Sequence, residues 1–375
     1  MTLRTAVVGG GTVSSVHRES LERNPRTELV AICDVDEDTA TRIAGEHDIH
    51  AFFDVQEMLD ELSLDWVHVC TPVQTHLAVA KPIIEAGIPV QIEKPITETY
   101  EEFEELAAHA DRHGVVVSEK HNHDFDPVVR AAVAKRRSGE LGDVRGVDVI
   151  YTGSSNPDDP NRGPWNFDLA GGEFEEGLPH PIYIGLRLGG YPRSEEDISA
   201  STALYGEYDH DFSYDGAQVQ YATAEGCLNT TKILGGTRPV RRVLVHGSEQ
   251  SLTVDLISQT IVEHDRNYKA GAKGRVLNNV DEIIDRTTGT VANARAVLER
   301  SRSDDWDTER LLNAHFYQDD AESRALLAND PSSMPVPLEE ARWTVRLMEE
   351  IRDEADRDRS RQSESLGPRL GSNVE

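Results

Sequence analysis

Residues 3–8 are a short apolar run that stops at Gly9-Gly10-Gly11, after which Val13, Val16, His17 and Leu21 recur at helical spacing. This predicts a strand, a tight turn and a helix. Compact apolar runs return at 29–33, 51–53, 66–70, 90–93 and 115–120, separated by amphipathic stretches at 38–47, 54–62, 75–86 and 99–113. Thr99 with Glu102 forms a capping box for the last of these helices, and Gly87 and Gly114 are placed as helix stops. Strands alternating with helices predict parallel pairing in a doubly wound sheet.

The pattern changes beyond residue 122. A helix is expected over 126–138, with Asp126 as N-cap and Pro127 in the first turn, then a strand over 143–151 and a polar loop over 154–164. Short alternating runs follow at 203–205, 217–221, 228–234, 243–246, 252–256 and 261–262, split by turn residues, so antiparallel pairing is expected. A charged helical segment over 281–302 and helices over 308–328 and 338–353 complete the chain. Beyond 353 the sequence lacks periodic apolar positions, and a disordered tail is expected over 354–375.

Composition narrows the picture. The chain has 375 residues, enough for two cores, and a net charge of -30 from 68 acidic and 38 basic residues. Such a surface repels phosphate backbones and anionic lipid, so neither nucleic acid nor membrane is an expected partner. The acidity is spread along the chain as on halophile proteins, and salt adaptation is the expected cause. Cys33, Cys70 and Cys227 lie in strand-like runs, which suits buried thiols in a reducing compartment. No run reaches membrane-span length and the first strand leaves no room for a signal peptide, so a cytoplasmic location is expected.

The glycine turn carries the candidate chemistry. Gly9 permits the tight turn, and Gly11, followed by Thr12 and Val13, lets a pyrophosphate approach the positive end of the next helix. Asp34 stands about twenty residues on, at the end of the second strand, where a carboxylate accepts from an adenosine 2′-hydroxyl and repels a 2′-phosphate. NAD is therefore expected over NADP. The alternative is that Asp34 only caps the helix starting near Asp36. Lys94 ends a parallel strand, where ligands gather, in a chain with only seven lysines; a surface ion pair with Glu93 is the competing reading. His180 suits a general base, against a capping or core role. Glu176 is placed to orient it, although Pro179 and Pro181 argue against a regular helix there. Trp165 offers a flat face to a sugar ring or to core packing. His121 and His123 alternate along a strand, but no third ligand follows at zinc spacing, so no metal is expected, and a domain-junction strand whose polar groups face the substrate cleft is the favoured reading.

These residues resemble the Gfo/Idh/MocA family. Gly9, Gly11, Val16 and His17 match its first motif, Cys70-Thr71-Pro72 with His76 its second, Glu93-Lys94-Pro95 its third, and Trp165, Gly171-Gly172 and His180 a later run. Ser14 replaces the third glycine, Val73 an asparagine, Glu173 a glycine and Glu176 an aspartate. Tyr183 replaces an aspartate three residues after the histidine. The resemblance implies an N-terminal Rossmann domain over 1–122 and a C-terminal α+β substrate and oligomerisation domain over 123–353 with an open, largely antiparallel sheet. It implies a homodimer or homotetramer formed through that sheet. It places Thr71, Pro72, His76, Glu93 and Lys94 at the cofactor, and Lys94, His123, Trp165, Glu176 and His180 at a small carbohydrate-like substrate. Lys94 and His180 are the implied catalytic pair. The activity implied is NAD-dependent oxidation of a secondary hydroxyl of a sugar, cyclitol or nucleotide-sugar. Two rivals stand beside it: an NAD-retaining dehydratase or glycosidase of the same fold, and a non-catalytic dinucleotide sensor.

Overall fold

The computed structural model describes residues 2–265, 271–300, 306 and 313–366. Six parallel strands, β1 (Leu3–Val8), β2 (Thr27–Cys33), β3 (His50–Phe52), β4 (Trp66–Val69), β5 (Val90–Ile92) and β6 (Val117–Glu119), form the first sheet in the order β3-β2-β1-β4-β5-β6. The order reverses direction of travel between β1 and β4. In a doubly wound sheet this opens a crevice at the carboxyl ends of the strands. Helices α1 (Ser14–Arg23), α2 (Glu37–His47), α3 (Val55–Glu61), α4 (His76–Glu85) and α5 (Tyr100–His113) make the crossovers. The expected capping box of α5 is present, with Thr99 accepting from the Glu102 amide and Gly114 left-handed at its end.

The second sheet has seven strands in the order β13-β12-β11-β7-β10-β9-β8. They are β7 (Val144–Ser154), β8 (Ser199–Ala203), β9 (Gly216–Ala222), β10 (Leu228–Gly235), β11 (Val240–Gly247), β12 (Gln250–Asp255) and β13 (Thr260–Asp265). Every pair is antiparallel except β7 with β10. Helices α6 (Pro127–Ser138) and α8 (Pro179–Gly189) and the last helix, α11 (Leu338–Leu366), supply apolar side chains such as Val129, Leu186 and Leu347 to the cores on its inner face, while the short α7 (Gly172–Glu176) leads into the cleft.

Several expectations are corrected. Asp126 makes no side-chain cap to α6; its carboxylate holds His123 instead, at 2.9 Å. As expected, no regular helix carries both Glu176 and His180: α7 ends at Glu176 and α8 starts at Pro179, with Pro179 and Pro181 in its first turn, where amides lack intrahelical partners. Leu204 and Tyr205 lie past the end of β8 and are exposed. The charged helix begins ten residues earlier than expected, as α9 (Gly271–Arg300). The last helix runs on from residue 353 to Leu366, its added turns carrying ion pairs such as Arg357 to Glu350 and Arg361 to Glu354. The expected helix start at 308–312 and the tail beyond 366 lie outside the described residues.

The first sheet is not closed by its own crossovers alone. His68, Gln91 and Ser118 stand in register across β4, β5 and β6, a polar row that a central parallel strand seldom carries. Helix α10 (Ala314–Ala328) covers it. Glu322 accepts from Gln91 Nε2, Ser118 Oγ and Gln318 Nε2, each at 2.8 Å, and Lys120 pairs with the buried Asp319. The chain thus returns from the second domain to complete the first.

Gly9 shows how tightly the turn is set. Its φ is +100°, and a Cβ there would lie 2.7 Å from the Cys70 carbonyl carbon and oxygen. Gly9→Ala is expected to cost roughly 1–3 kcal/mol, read as a lower urea midpoint at unchanged slope. Wild-type stability would show that the turn relaxes freely.

Candidate active site

The ends of β1, β2, β4 and β5 open into one cavity of about 1180 Å³. Its wall brings together Gly9, Gly11, Thr12, Val13, Asp34, Thr71, Pro72, His76, Glu93, Lys94, Trp165 and Glu176, all singled out from sequence. His123 and His180 are not on that wall. They lie beside it, half-buried, with ring centroids 4.7 Å apart in an edge-to-face arrangement.

At one end, Gly10 N donates to Asp34 Oδ2 at 2.5 Å and Asp36 N to Asp34 Oδ1 at 2.8 Å. This orients the carboxylate at the tip of β2. A Cβ on Gly11 would meet no atom within 4 Å, so open space lies over the start of α1. Val35 beside it is exposed and carries no charge. Ser14, in place of the third glycine, turns its hydroxyl back to the Gly11 carbonyl at 2.6 Å and so keeps the turn compact. Asp34 caps nothing itself; Asp36 is the N-cap of α2, accepting from Thr39 N at 2.7 Å. A dinucleotide fits this donor set: amides and a helix terminus for phosphates, a free carboxylate edge for ribose hydroxyls.

The middle of the cavity is set by buried histidines. His76 spans two loops, with Nδ1 3.0 Å from the Pro95 carbonyl and Nε2 2.8 Å from the Thr71 carbonyl. It therefore positions the walls of the cofactor cleft. His17 Nε2 bonds Glu93 Oε1 at 2.7 Å and its Nδ1 meets His68 at 2.8 Å. Burial opposes the Glu93 charge, but the hydrogen bond and charge of His17, with Lys94 behind them, hold the carboxyl well below the usual range. Glu93 is thus an anchor under the site, and its Oε2 accepts from the Lys94 amide at 3.2 Å.

Lys94 is buried rather than at the surface, and its partner is not Glu93. Its ammonium donates to the Glu176 carbonyl at 3.0 Å and ion-pairs with the Glu176 carboxylate. Glu176 therefore does not orient His180, as expected from sequence; it reaches across from the second domain to hold the lysine. Arg162 Nη1 shares the same carboxylate at 3.0 Å, and its Nε faces Glu173 Oε1 at 3.7 Å, while Glu173 Oε2 accepts from Asn166 Nδ2 at 2.6 Å. Arg162 was not legible in the sequence, since it sits in an irregular loop with no spacing to flag it. Trp165 stands on the wall half-buried, its indole N–H donating to the Arg162 carbonyl at 2.9 Å.

The residue that orients His180 is Tyr183. Its hydroxyl donates to Asn122 Oδ1 at 3.2 Å, accepts from the His123 amide at 3.1 Å, and lies 2.7 Å from His180 Nδ1. With its proton spent on Asn122, the phenol oxygen accepts from Nδ1–H, leaving Nε2 with its lone pair. His121 stacks on the Tyr183 ring at 4.1 Å. His121 is itself fixed among Glu119, Asp124 and Glu340, and Arg187 inserts between the last two. Burial disfavours charge on His121, yet those carboxylates outweigh it and keep it protonated. His180 goes the other way. Burial, then the charges of Lys94, His123 and Arg162, push it well below the ordinary imidazole value.

Residues 3–121 match the Gfo/Idh/MocA oxidoreductase family, described by its NAD-binding Rossmann fold. The match covers the first domain of the chain. The chain is 36% identical over 241 residues to the oxidoreductase YhhX of Escherichia coli (strain K12), covering 60% of this chain and 63% of that one. It is 24% identical over 263 residues to the inositol 2-dehydrogenase of Rhizobium meliloti (strain 1021), covering 68% and 76%. Among solved structures it resembles GenD2 from gentamicin A biosynthesis, in complex with NAD, at a TM-score of 0.70 and 26% identity, over 95% of this chain and 94% of that one. The chain spans from 46% to 76% of the length of the first three curated relatives. No helix among the described residues is long and apolar enough to cross a membrane.

The Tyr183 arrangement has a direct spectroscopic consequence. In ¹⁵N-histidine spectra, His180 should show the Nδ1–H tautomer and stay neutral at pH 6.5, protonating only on further acidification, because its folded value is depressed. Tyr183→Phe should mix the tautomers, and Arg162→Gln should move the midpoint upward by removing a positive charge. A midpoint above 6.5 in the wild type would contradict the geometry.

Proposed function

We propose that the protein is an NAD-dependent oxidoreductase of this family that takes hydride from a secondary hydroxyl of a cyclitol, sugar or nucleotide-sugar. The observation that carries the reading is the buried ammonium of Lys94 on the wall of the same cavity that the glycine turn and Asp34 line. An ammonium held there is a preorganised donor for an alcohol oxygen as negative charge develops on it. A bound NAD supplies the hydride acceptor.

The roles follow from position. Asp34 accepts from ribose hydroxyls and disfavours a 2′-phosphate; the amides at Gly11 and Thr12 and the start of α1 face the pyrophosphate. Lys94 donates to the substrate oxygen and Glu176 keeps it aimed. His180 removes the hydroxyl proton through Nε2, a general-base contribution of roughly 10²–10⁴ in rate. A histidine kept neutral by burial and by positive neighbours is ready to accept that proton at neutral pH. Trp165 offers an apolar face to a ring, and His123, packed edge-to-face against His180, is the candidate for a second hydroxyl. The relationship to the inositol 2-dehydrogenase favours polyols as the substrate class.

The test is incubation with NAD and a panel of cyclitols, sugars and nucleotide-sugars, following NADH by absorbance and products by mass. Net NADH with an oxidised product is expected. A changed product without net NADH would instead mark the cofactor-retaining route, and NAD binding without any product would mark a sensor. Lys94→Ala should reduce turnover by at least 10²-fold while NAD affinity stays within a few-fold; an unchanged rate removes the lysine from the chemistry. Asp34→Ala should weaken NAD binding and narrow the preference over NADP, measured by calorimetry.

A further inference from the structure

Helix α9 is amphipathic in the unexpected sense, with its polar side turned inward. Asp285 accepts from the Glu263 amide at 3.0 Å, and Asn293 donates to the Ser258 and Gln259 carbonyls at 3.0 and 2.7 Å. A Cβ on Gly289 would lie 3.0 Å from Thr260. The helix thus satisfies and covers the edge of the second sheet at β13, a common way to protect an edge strand. Its opposite side carries Val276, Leu277, Val280, Ile283, Ile284, Val291, Val297 and Leu298, each between 42% and 62% exposed. These are eight of the fifteen large apolar side chains that stand exposed among the described residues.

Their spacing identifies the occupant. Leu277, Val280, Ile284, Thr287, Val291, Ala294 and Leu298 follow alternating intervals of three and four, the seam along which two helices interlock. The seam is also close to a palindrome, every matched pair being centred within one residue of Thr287. Leu277 mirrors Leu298, Val280 mirrors Ala294, Ile284 mirrors Val291, and Thr287 is the centre. On one flank Val276 mirrors Val297; on the other, Asp281 mirrors Arg295, opposite charges at matched level. A stripe that reads alike from both ends complements itself about a twofold axis, as an isologous interface requires. The eight side chains present on the order of 700 Å², more than a monomer's largest patch usually reaches and close to the ~800 Å² per partner of a stable complex.

We infer that α9 is a dimerisation element, pairing antiparallel with α9 of a second copy of this chain through the Leu277 to Leu298 seam. This surface is distinct from the open face of the second sheet, and both are available to one assembly. It places the segment that the sequence shows as an added charged helix at a subunit contact, and it does not depend on the proposed reaction.

Two measurements on the full chain decide it. Light-scattering mass should halve in Ile284→Glu and again be halved in Val291→Glu relative to the wild type, with unchanged circular dichroism, since both side chains are exposed. Under oxidation, Thr287→Cys should give a disulfide-linked dimer. A mixture of Val280→Cys and Ala294→Cys proteins should cross-link while Val280→Cys alone does not, and the native cysteines are buried. Unchanged mass in both glutamate variants together with no Thr287→Cys dimer overturns the inference. Cross-linking of Val280→Cys with itself overturns the antiparallel register. A wild type that stays monomeric but floats with phosphatidylcholine vesicles, where Ile284→Glu does not, overturns it in favour of a lipid surface.

Discussion

Everything at the cleft depends on one buried ion pair, Lys94 with Glu176. A lysine at the end of a buried parallel strand is unfavourable unless a carboxylate meets it, and loss of one partner from such a pair costs about 3–5 kcal/mol. The first domain supplies the cation and the second the anion, so the pair also sets how the two halves of the cleft meet. Because Arg162 shares the carboxylate, two cations face Glu176 and Glu173 across a small space. Burial first, and then the nearby charges of Lys94, His123 and Arg162, keep His180 neutral. The ion pair thus holds the donor, while burial and the Tyr183 hydroxyl prepare the base.

A second layer of buried polarity supports the first. Glu93 under Lys94 is held by His17, which leans on His68. His68 begins the row that Gln91 and Ser118 continue toward Glu322 on α10. Burial raises Glu322 to about 7 despite the pull of Lys120. The carboxyl ends of β4 and β5 are thereby tied to a helix from the far end of the chain. The network is not fully satisfied, since His68 Nε2, Gln91 Oε1, Gln318 Oε1 and Asp319 Oδ2 are buried without a hydrogen-bond partner among the described residues, a cost that the bonds it does make must offset.

How much of this was legible follows from the range of the forces involved. The crossovers, the capping box at Thr99, the glycine turn and Asp34 are local, with signals within a few residues, and the structure keeps them. Lys94 was found because a strand end in a doubly wound sheet is a predictable place. Its partner was not, because Glu176 is eighty-two residues away and its neighbour His180 seemed the nearer claimant. Tyr183 was visible only as a departure from an acidic position; that a phenol bridged to Asn122 takes over that task needs three-dimensional proximity. Glu322, Asp319 and Gln318 read as a polar helix face until the polar row on β4, β5 and β6 is seen beneath them. Pro179 and Pro181 marked the break between Glu176 and His180, because a proline is best accommodated in the first turn of a helix, which is where α8 begins.

The most direct test of the account is a crystal structure of the protein with NAD bound. The account predicts the pyrophosphate over Gly11 at the start of α1, the adenosine ribose on Asp34, and the nicotinamide beside Lys94 with His180 Nε2 turned toward the same space. A nicotinamide lying away from Lys94, or a cofactor bound outside this cavity, would contradict it.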